Sequence, residues 1–456
     1  MNERHHERSE WEGIKVTLLL VVLAVGFSPC IHAQDSAALT LKEAVQIALQ
    51  RHPDVEKARA AADVLKGRIR EVRAQAFPEV NFTSNVLRWR DPSLLNASGL
   101  DKFPAELRDA LVPSGVNLFD YSLSIKQPLY TAGKVGTALQ LAKTEAEGAA
   151  IDIDRAKQDL ALEVVKAFHG LLWAEHARDL AAETQQQRKQ HAEMARTRFR
   201  NGVATEVDVL RSEVNVANGA PELVRVENAI RQSRALLNFY LVRPIDFPTR
   251  AIGKFEEKTW EPKDLTKLTE QAINNRPELL RLRINERTAE TLFDLARAES
   301  RMRLDFNSSY GIMSRLPENL FDKLYSRWAV GVNFTLPVFD GFRRSGLVAQ
   351  AAASERTARL ERQRNEQQVG LAVQQGLDEL TAARETIQSA RANVGQAERV
   401  LSMTQNNYKY GAATTLDIVD AQTALSVSRT NLLRGLFDYS MARAQLLWVL
   451  GKPPWE

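Results

Sequence analysis

Residues 128–244 of this chain recur at residues 337–453 with a fixed offset: 337 − 128, 411 − 202 and 453 − 244 are all 209. Phe199-Arg200-x-Gly202-x-Ala204-Thr205-x-x-Asp208 lies over Tyr408-Lys409-x-Gly411-x-Ala413-Thr414-x-x-Asp417, and Arg234-Ala235-x-Leu237 lies over Arg443-Ala444-x-Leu446. An ungapped repeat of this length means that one structural unit has been used twice. It separates features of the scaffold from features that occur once.

Each copy contains a very long helix. From about Lys134 to Arg200, and from about Arg343 to Tyr410, there is no proline and apolar residues recur every three or four positions, the spacing of one helix face. At 1.5 Å per residue such a helix is on the order of 100 Å long. No globular domain buries a helix of that length, so it must pack against other long helices as a coiled coil or bundle. Return helices are expected over about Thr205–Val242 and Thr414–Leu450. The result is two hairpins, over about 134–242 and 342–450, with tips near 202 and 411. Gly202 and Gly411 supply the positive φ that ends one helix. Thr205 and Thr414 are placed to cap the next, with Asp208 and Asp417 at capping-box spacing. Asn218-Gly219-Ala220-Pro221 interrupts only the first return helix, so a kink is expected in one hairpin only.

Ahead of each hairpin the order is helix, proline, helix, strand, loop, strand. The prolines are Pro53 and Pro277, offset by 277 − 53 = 224, so the first copy carries 15 more residues (224 − 209), placed between its strands around 91–116. Strands are expected at about 79–90, 117–129, 303–313 and 327–338. Phe119, Tyr121, Leu123 and Ile125 alternate with Asp120, Ser122, Ser124 and Lys126; Trp328, Val330, Val332, Phe334 and Leu336 alternate with small or polar residues. Residues 303–313 put Leu304, Phe306, Tyr310 and Ile312 opposite Arg303, Asp305, Asn307 and Ser309, and Val80, Phe82 and Val86 oppose Asn81, Thr83 and Asn85. A period of two with one apolar face marks a sheet between two media. Taken alone, it fits a sheet over a soluble core and the wall of a membrane barrel equally well.

The N-terminus reads as an export signal over 1–33. Arg4, Arg8 and Lys15 precede an apolar run from Val16 to Phe27, and a cleavage site follows at Ala33. That run is too short to span a bilayer comfortably. Cys30, the only cysteine, would leave with the signal, or would be the acylated residue on a lipoprotein reading. Giant helical hairpins, amphipathic strands and an export signal together point outside the cytoplasmic membrane. Four strands cannot close a barrel, and open sheet edges are not tolerated in hydrocarbon. Several copies must therefore share one barrel. The expected layout is a first repeat over 34–244, a linker over 245–263 and a second repeat over 264–453.

At this point the chain resembles the TolC family of outer-membrane efflux ducts. The resemblance is carried by Leu41-x-x-Ala44-x-x-x-Ala48-Leu49-x-x-His52-Pro53, the joints Gln127-Pro128-Leu129-Tyr130 and Leu336-Pro337-Val338-Phe339-Asp340-Gly341, and the two tips. It covers nearly all of the mature chain. It implies a mainly α protomer with a small β-barrel part, and a homotrimer sharing a 12-stranded barrel in outer-membrane lipid above a helical periplasmic tunnel. It further implies a periplasmic adaptor protein and an inner-membrane pump of RND, ABC or MFS type as partners. The expected function is passive exit of substrates by efflux or type I secretion; a non-conducting envelope scaffold or tether is the alternative.

Asp417-Ile418-Val419-Asp420 is singular: the first copy has Asp208 and Arg211 at the equivalent positions. Acids three apart share a helix face, and acids in a first turn also simply offset the helix dipole. In the resembled family, paired aspartates here line the periplasmic aperture, which implies a ring of carboxylates from three copies of Asp417 and Asp420. Tyr408 and Asp208 match two positions that link neighbouring hairpins in the closed family channel. The family pattern has an arginine where this chain has Ala413, leaving Lys409 or Arg211 as a substitute. Gly202-Val203-Ala204 and Gly411-Ala412-Ala413 resemble the adaptor-docking tips. Trp89, Trp328, Tyr121 and Tyr310 are candidates for aromatic belts.

No catalytic constellation appears. His52, His169, His176 and His191 are scattered without carboxylate or cysteine partners at ligand spacing, and His5, His6 and His32 fall in the signal. The chain is therefore expected to be no enzyme and to carry no cofactor or metal. The net charge of +4 is spread as mixed-sign charge along helices without a basic, aromatic-laced stripe, which argues against nucleic acid.

Overall fold

The computed structural model of the protein describes residues 38–89, 104, 106–107, 115–257, 264–299 and 301–455. The expected export signal with Cys30, and most of the expected long loop at 91–116, lie outside the described residues.

The elements in order are β1 (Ala38–Leu39), α1 (Leu41–Arg51), α2 (Pro53–Ala74), β2 (Glu79–Trp89), β3 (Val116–Tyr130), α3 (Lys134–Arg200), α4 (Glu206–Tyr240), β4 (Arg250–Ala251), α5 (Leu265–Asn275), α6 (Pro277–Ala298), β5 (Arg303–Ser314), β6 (Ser326–Thr335), α7 (Arg343–Lys409) and α8 (Thr415–Val449). The repeat holds to the residue. α1 and α2 map onto α5 and α6 at an offset of 224 (265 − 41 and 277 − 53), and α3 and α4 map onto α7 and α8 at 209 (343 − 134 and 415 − 206). Pro53 and Pro277 open α2 and α6, where a missing N–H costs nothing. His52 caps α2 by accepting the Asp54 amide at Nδ1, 3.2 Å away.

The four-stranded sheet has the order β2-β3-β5-β6, antiparallel throughout. Residues paired across strands share a face. One face carries the row Phe82, Leu123, Tyr310, Trp328, with Val80, Val86, Ile125, Ile312, Val330 and Val332 around it. The other carries Asn81, Ser124, Ser309 and Ala329 in one row and Thr83, Ser122, Gly311 and Arg327 in the next. Arg327 holds Asp120 at 2.6 Å on this polar face. The apolar side chains of β2 and β6 are exposed in the single chain. Trp328 and Tyr310 are cross-strand partners within the apolar face, and Trp89 ends β2.

β6 stops at Thr335, short of the expected 338, whereas β3 continues to Tyr130. β3 lies inside the sheet and its last residues pair with β5. β6 is at the edge, and its outer side has no strand partner among the described residues. Both strand-to-helix joints turn through two consecutive left-handed residues, Ala132-Gly133 (φ 50° and 86°) and Gly341-Phe342 (φ 65° and 67°). One of each pair is not glycine, at roughly 1–2 kcal/mol of local strain.

Below the sheet, α3 and α4 pack with α1 around Val45, Phe168, Leu171, Leu237 and Leu241. α7 and α8 pack with α5 and α6 around Leu279, Ile387, Tyr439 and Leu446. Trp448 Nε1 donates to Asp159 at 3.0 Å, and Arg429 reaches both Glu183 (2.8 Å) and Glu398 (2.9 Å), so α8 is tied to α3. Despite Pro221, α4 is a single helix from Glu206 to Tyr240. Gly219 leaves room there for Gln185 of α3, whose amide donates to the Val216 carbonyl at 2.9 Å in the turn that the proline disturbs.

The segment after α4 crosses both hairpins. β4 pairs in parallel with β1, Phe255 packs against His169 with ring centroids 5.7 Å apart, and Glu257 accepts from Arg384 (3.3 Å) and Arg391 (2.8 Å) of α7. Burial under this strap, reinforced by nearby Arg443, pushes His169 down to about 4 from an ordinary 6.5. Above pH 6.5 the imidazole is neutral whether folded or unfolded. Below it the unfolded chain takes up a proton that the folded one refuses, so stability falls with acid down to about pH 4 and then levels. The loss is about 3 kcal/mol at most. Thermal melts at pH 7 and pH 4.5 should show this drop, and His169→Gln should shrink it; an unchanged pH slope in the variant would place the acid sensitivity elsewhere.

Candidate functional site

The two hairpin tips are built alike. Val203 N donates to Arg198 O and Gly202 N to Phe199 O, both at 2.9 Å; in the second tip Ala412 N donates to Asn407 O at 2.9 Å and Gly411 N to Tyr408 O at 3.2 Å. Each closure needs the left-handed glycine, Gly202 at φ 74° and Gly411 at φ 78°. The return helices start with full capping boxes. Thr205 N donates to Asp208 Oδ2 at 3.0 Å, and Thr414 N to Asp417 Oδ2 at 2.7 Å. These bonds, first of all the one from the threonine amide, hold both carboxyls below the usual carboxylate range. Small side chains at Ala204, Ala412 and Ala413 leave the tips slim, while Val203 stands exposed.

The tips are joined by a cluster that includes Tyr408, in the last turn of α7 and only 4% exposed. Its hydroxyl lies 3.3 Å from Thr415 Oγ1. Arg198 of α3 stacks its guanidinium 4.4 Å from the ring centroid and donates to the Tyr408 carbonyl at 2.7 Å. His191 of α3 packs its ring 5.5 Å from the same tyrosine. Burial lowers the His191 pKa, opposed by the charge of Asp208. Asp208 is also held down by a side-chain bond from Thr415 and by Arg211 nearby. Tyr408, Asp208 and Arg211 thus gather where the second hairpin meets the first, within one chain. Lys409 is exposed and makes no ion pair among the described residues.

Asp417 and Asp420 are exposed in the first turns of α8. One oxygen of Asp417 is committed to its cap, while Asp420 has no ion-pair partner among the described residues. Between α4 and α8, behind the tips, runs an apolar groove of about 480 Å³ lined by Val207, Leu210, Val214, Leu416 and Val419, with Arg211 at its side. The groove and the residues His191, Arg198 and Thr415 were not singled out from the sequence. Val207, Leu210 and Val214 sit at helical spacing, a signal available in the pattern; the Arg198–Tyr408 contact joins residues 210 apart and leaves no local trace. Among the described residues no cluster of His, Cys, Asp and Glu has the makings of a metal site.

Comparison with known proteins bears on this arrangement. The family profile described as "Outer membrane efflux protein" matches residues 44–241 and 268–452. The chain is 21% identical to the alkaline protease secretion protein AprF of Pseudomonas aeruginosa, over 92% of this chain and 85% of that one. It is 22% identical to outer membrane protein TolC of Escherichia coli (strain K12), over 95% of this chain and 86% of that one. Among solved structures it is similar to the outer membrane protein VceC of Vibrio cholerae, with a TM-score of 0.73 at 19% identity over 90% and 96% of the two chains. It is likewise similar to the Campylobacter jejuni CmeC outer membrane channel, with a TM-score of 0.76 at 17% identity over 90% and 85%. With its family profile spanning both repeats, the chain belongs to the outer membrane efflux protein family.

Proposed function

We propose that this protein is the outer-membrane channel of an efflux or type I secretion system, built from three copies that share one 12-stranded barrel over a helical periplasmic tunnel. The observation that carries this reading is the sheet: one face apolar and aromatic, the other Asn, Ser, Thr and an Asp120–Arg327 pair, with two open edges, standing on helices of 67 residues. A polar lumen and a lipid-facing outside demand that alternation, and the open edges demand more copies. The periplasmic end is closed by the tips, where Asp417 and Asp420 ring the aperture. Tyr408, Asp208 and Arg211 hold neighbouring hairpins, with Lys409 exposed beside them.

The slim tips Gly202-Val203-Ala204 and Gly411-Ala412-Ala413, with the apolar groove behind them, form the docking surface for a periplasmic adaptor, which couples the duct to an inner-membrane pump of RND, ABC or MFS type. Transport is passive, with no catalytic step and no cofactor. Purified protein added to planar bilayers should produce uniform conductance steps, and its trimer should fall to monomer on heating in SDS. A protein that fractionates with the outer membrane yet never conducts would be a scaffold, and would overturn this reading.

A further inference from the structure

We propose that neighbouring copies meet through β6 of one and β2 of the next in the strand register dictated by the internal repeat, with α7 of the first lying on α2 of the second. This rests on the trimeric reading above. Inside the chain the offsets are an accurate guide. The β2–β3 pairs from Glu79↔Lys126 to Arg88↔Asn117, moved by 224 on the first strand and 209 on the second, all land on observed β5–β6 pairs: Glu79↔Lys126 becomes Arg303↔Thr335, and Val80↔Ile125 becomes Leu304↔Phe334. The junction between the repeats, β3 with β5, has no mate among the described residues of one chain. Its mate is β6 of one copy with β2 of the next.

The same offsets transpose that junction. Leu123↔Tyr310 becomes Val332↔Val86, Ser124↔Ser309 becomes Asn333↔Asn85, Lys126↔Asn307 becomes Thr335↔Thr83, and Gln127↔Phe306 becomes Leu336↔Phe82. The irregularity between Pro128 and Tyr130 carries over as well and sets Phe339 beside Val80. In this register Val332, Leu336 and Phe339 meet Val86, Phe82 and Val80 on the lipid face, while Asn333 and Thr335 meet Asn85 and Thr83 on the lumen face. A slip of one residue would set polar side chains in hydrocarbon. The register also gives partners to Leu336 and Phe339, which stand 51% and 78% exposed in the single chain.

The helices supply a separate observation. Across the internal junction Arg281 holds Asp152 at 3.0 Å, and Arg287 holds Glu147 at 3.5 Å. Moved by the offsets, the first pair becomes Lys57 with Glu361. The second becomes Asp63 with Arg356, reversed in both signs and still complementary. All four are exposed. Among the described residues Lys57, Glu361 and Arg356 hold no ion pair, and Asp63 holds only its helical neighbour Lys66, at 2.7 Å. A pair that changes sign on both sides together stays complementary, although nothing within either single helix links the two changes. It is what a conserved contact between two copies requires.

Disulfide trapping in outer membranes tests the register. In a Cys30→Ser background, Asn85→Cys with Asn333→Cys should give covalent trimers on a non-reducing gel after mild oxidation. Asn85→Cys with Gly331→Cys or with Thr335→Cys, each two residues out of register, should give several-fold less. An intact trimer that crosslinks best through a displaced pair overturns the register and leaves the trimer standing. A chain without these cysteines that stays monomeric in the membrane overturns both. Because cysteines in the wall can hinder assembly, a charge exchange is read beside them. Arg356→Asp should lower the temperature at which the SDS-resistant trimer dissociates, and adding Asp63→Arg should restore it; failure of the second change to rescue the first removes the α7–α2 contact.

Discussion

Replacing Asp417 and Asp420 together by asparagine is expected to lower the cation-over-anion permeability of the closed channel by about tenfold and to abolish its block by divalent cations. In the proposed trimer three copies would bring six carboxylates around one axis, and such a ring would concentrate cations and exclude anions. The fold should survive the change. Asparagine still offers Oδ1 to the Thr414 amide, which now donates to Asp417 Oδ2 at 2.7 Å, and neither aspartate forms an ion pair among the described residues. The two single variants should differ. Asp417 has one oxygen engaged at the helix start, so Asp420→Asn should account for most of the lost divalent block. Single-channel recordings under a salt gradient, with and without added divalent cation, measure both quantities. Unchanged selectivity in the double variant would leave these acids as helix caps and nothing more.

The second large effect is expected at Tyr408. Tyr408→Ala removes a buried aromatic ring that fills the space between α3, α7 and α8, a loss of about 3–5 kcal/mol where the site cannot collapse. It also strips Arg198 of its stacking partner 4.4 Å away and His191 of its neighbour. The second hairpin tip should then come away from the first. Basal conductance should rise, and protease should cut faster around residues 410–414. Tyr408→Phe is the graded control. It keeps the ring and loses only the hydroxyl contact with Thr415, about 0.5–1.5 kcal/mol, so any rise in conductance should be small. A wild-type cleavage rate in Tyr408→Ala would mean that the ring packs the tip without holding it shut.

Much of the fold is legible before any coordinates because its signals are local and doubled. An unbroken 3.6-residue period, a glycine at φ above 70° and a Thr-x-x-Asp box each act within a few residues, and each occurs twice at one offset. The sheet faces are equally plain, since a period of two is its own evidence. What stays hidden is tertiary. Arg198 meets Tyr408 across two hairpins, and nothing near either residue announces the other. The early end of β6 follows from its place at the sheet edge, which no local pattern encodes. Pro221 is a different case: its local signal calls for a kink, the helix is continuous from Glu206 to Tyr240, and the fit of Gln185 against Gly219 across the hairpin has no local sign. The aspartates stand between these cases. Their positions on α8 are readable, but the proposed ring would exist only between copies.

The equality of the two hairpins has a consequence for how such a duct can change length. α3 and α7 both span 67 residues, and α4 and α8 both span 35. Removing seven residues from both helices of a hairpin would draw its tip about 10 Å toward the sheet while roughly keeping the helix faces in phase. Made in one hairpin, that cut would leave the two tips at different depths and give an adaptor a staggered rim. Made in all four long helices, it would yield a shorter tube with a level rim. The two halves therefore act as one ruler read twice, and the depth at which the duct meets its partner moves in paired steps of whole heptads.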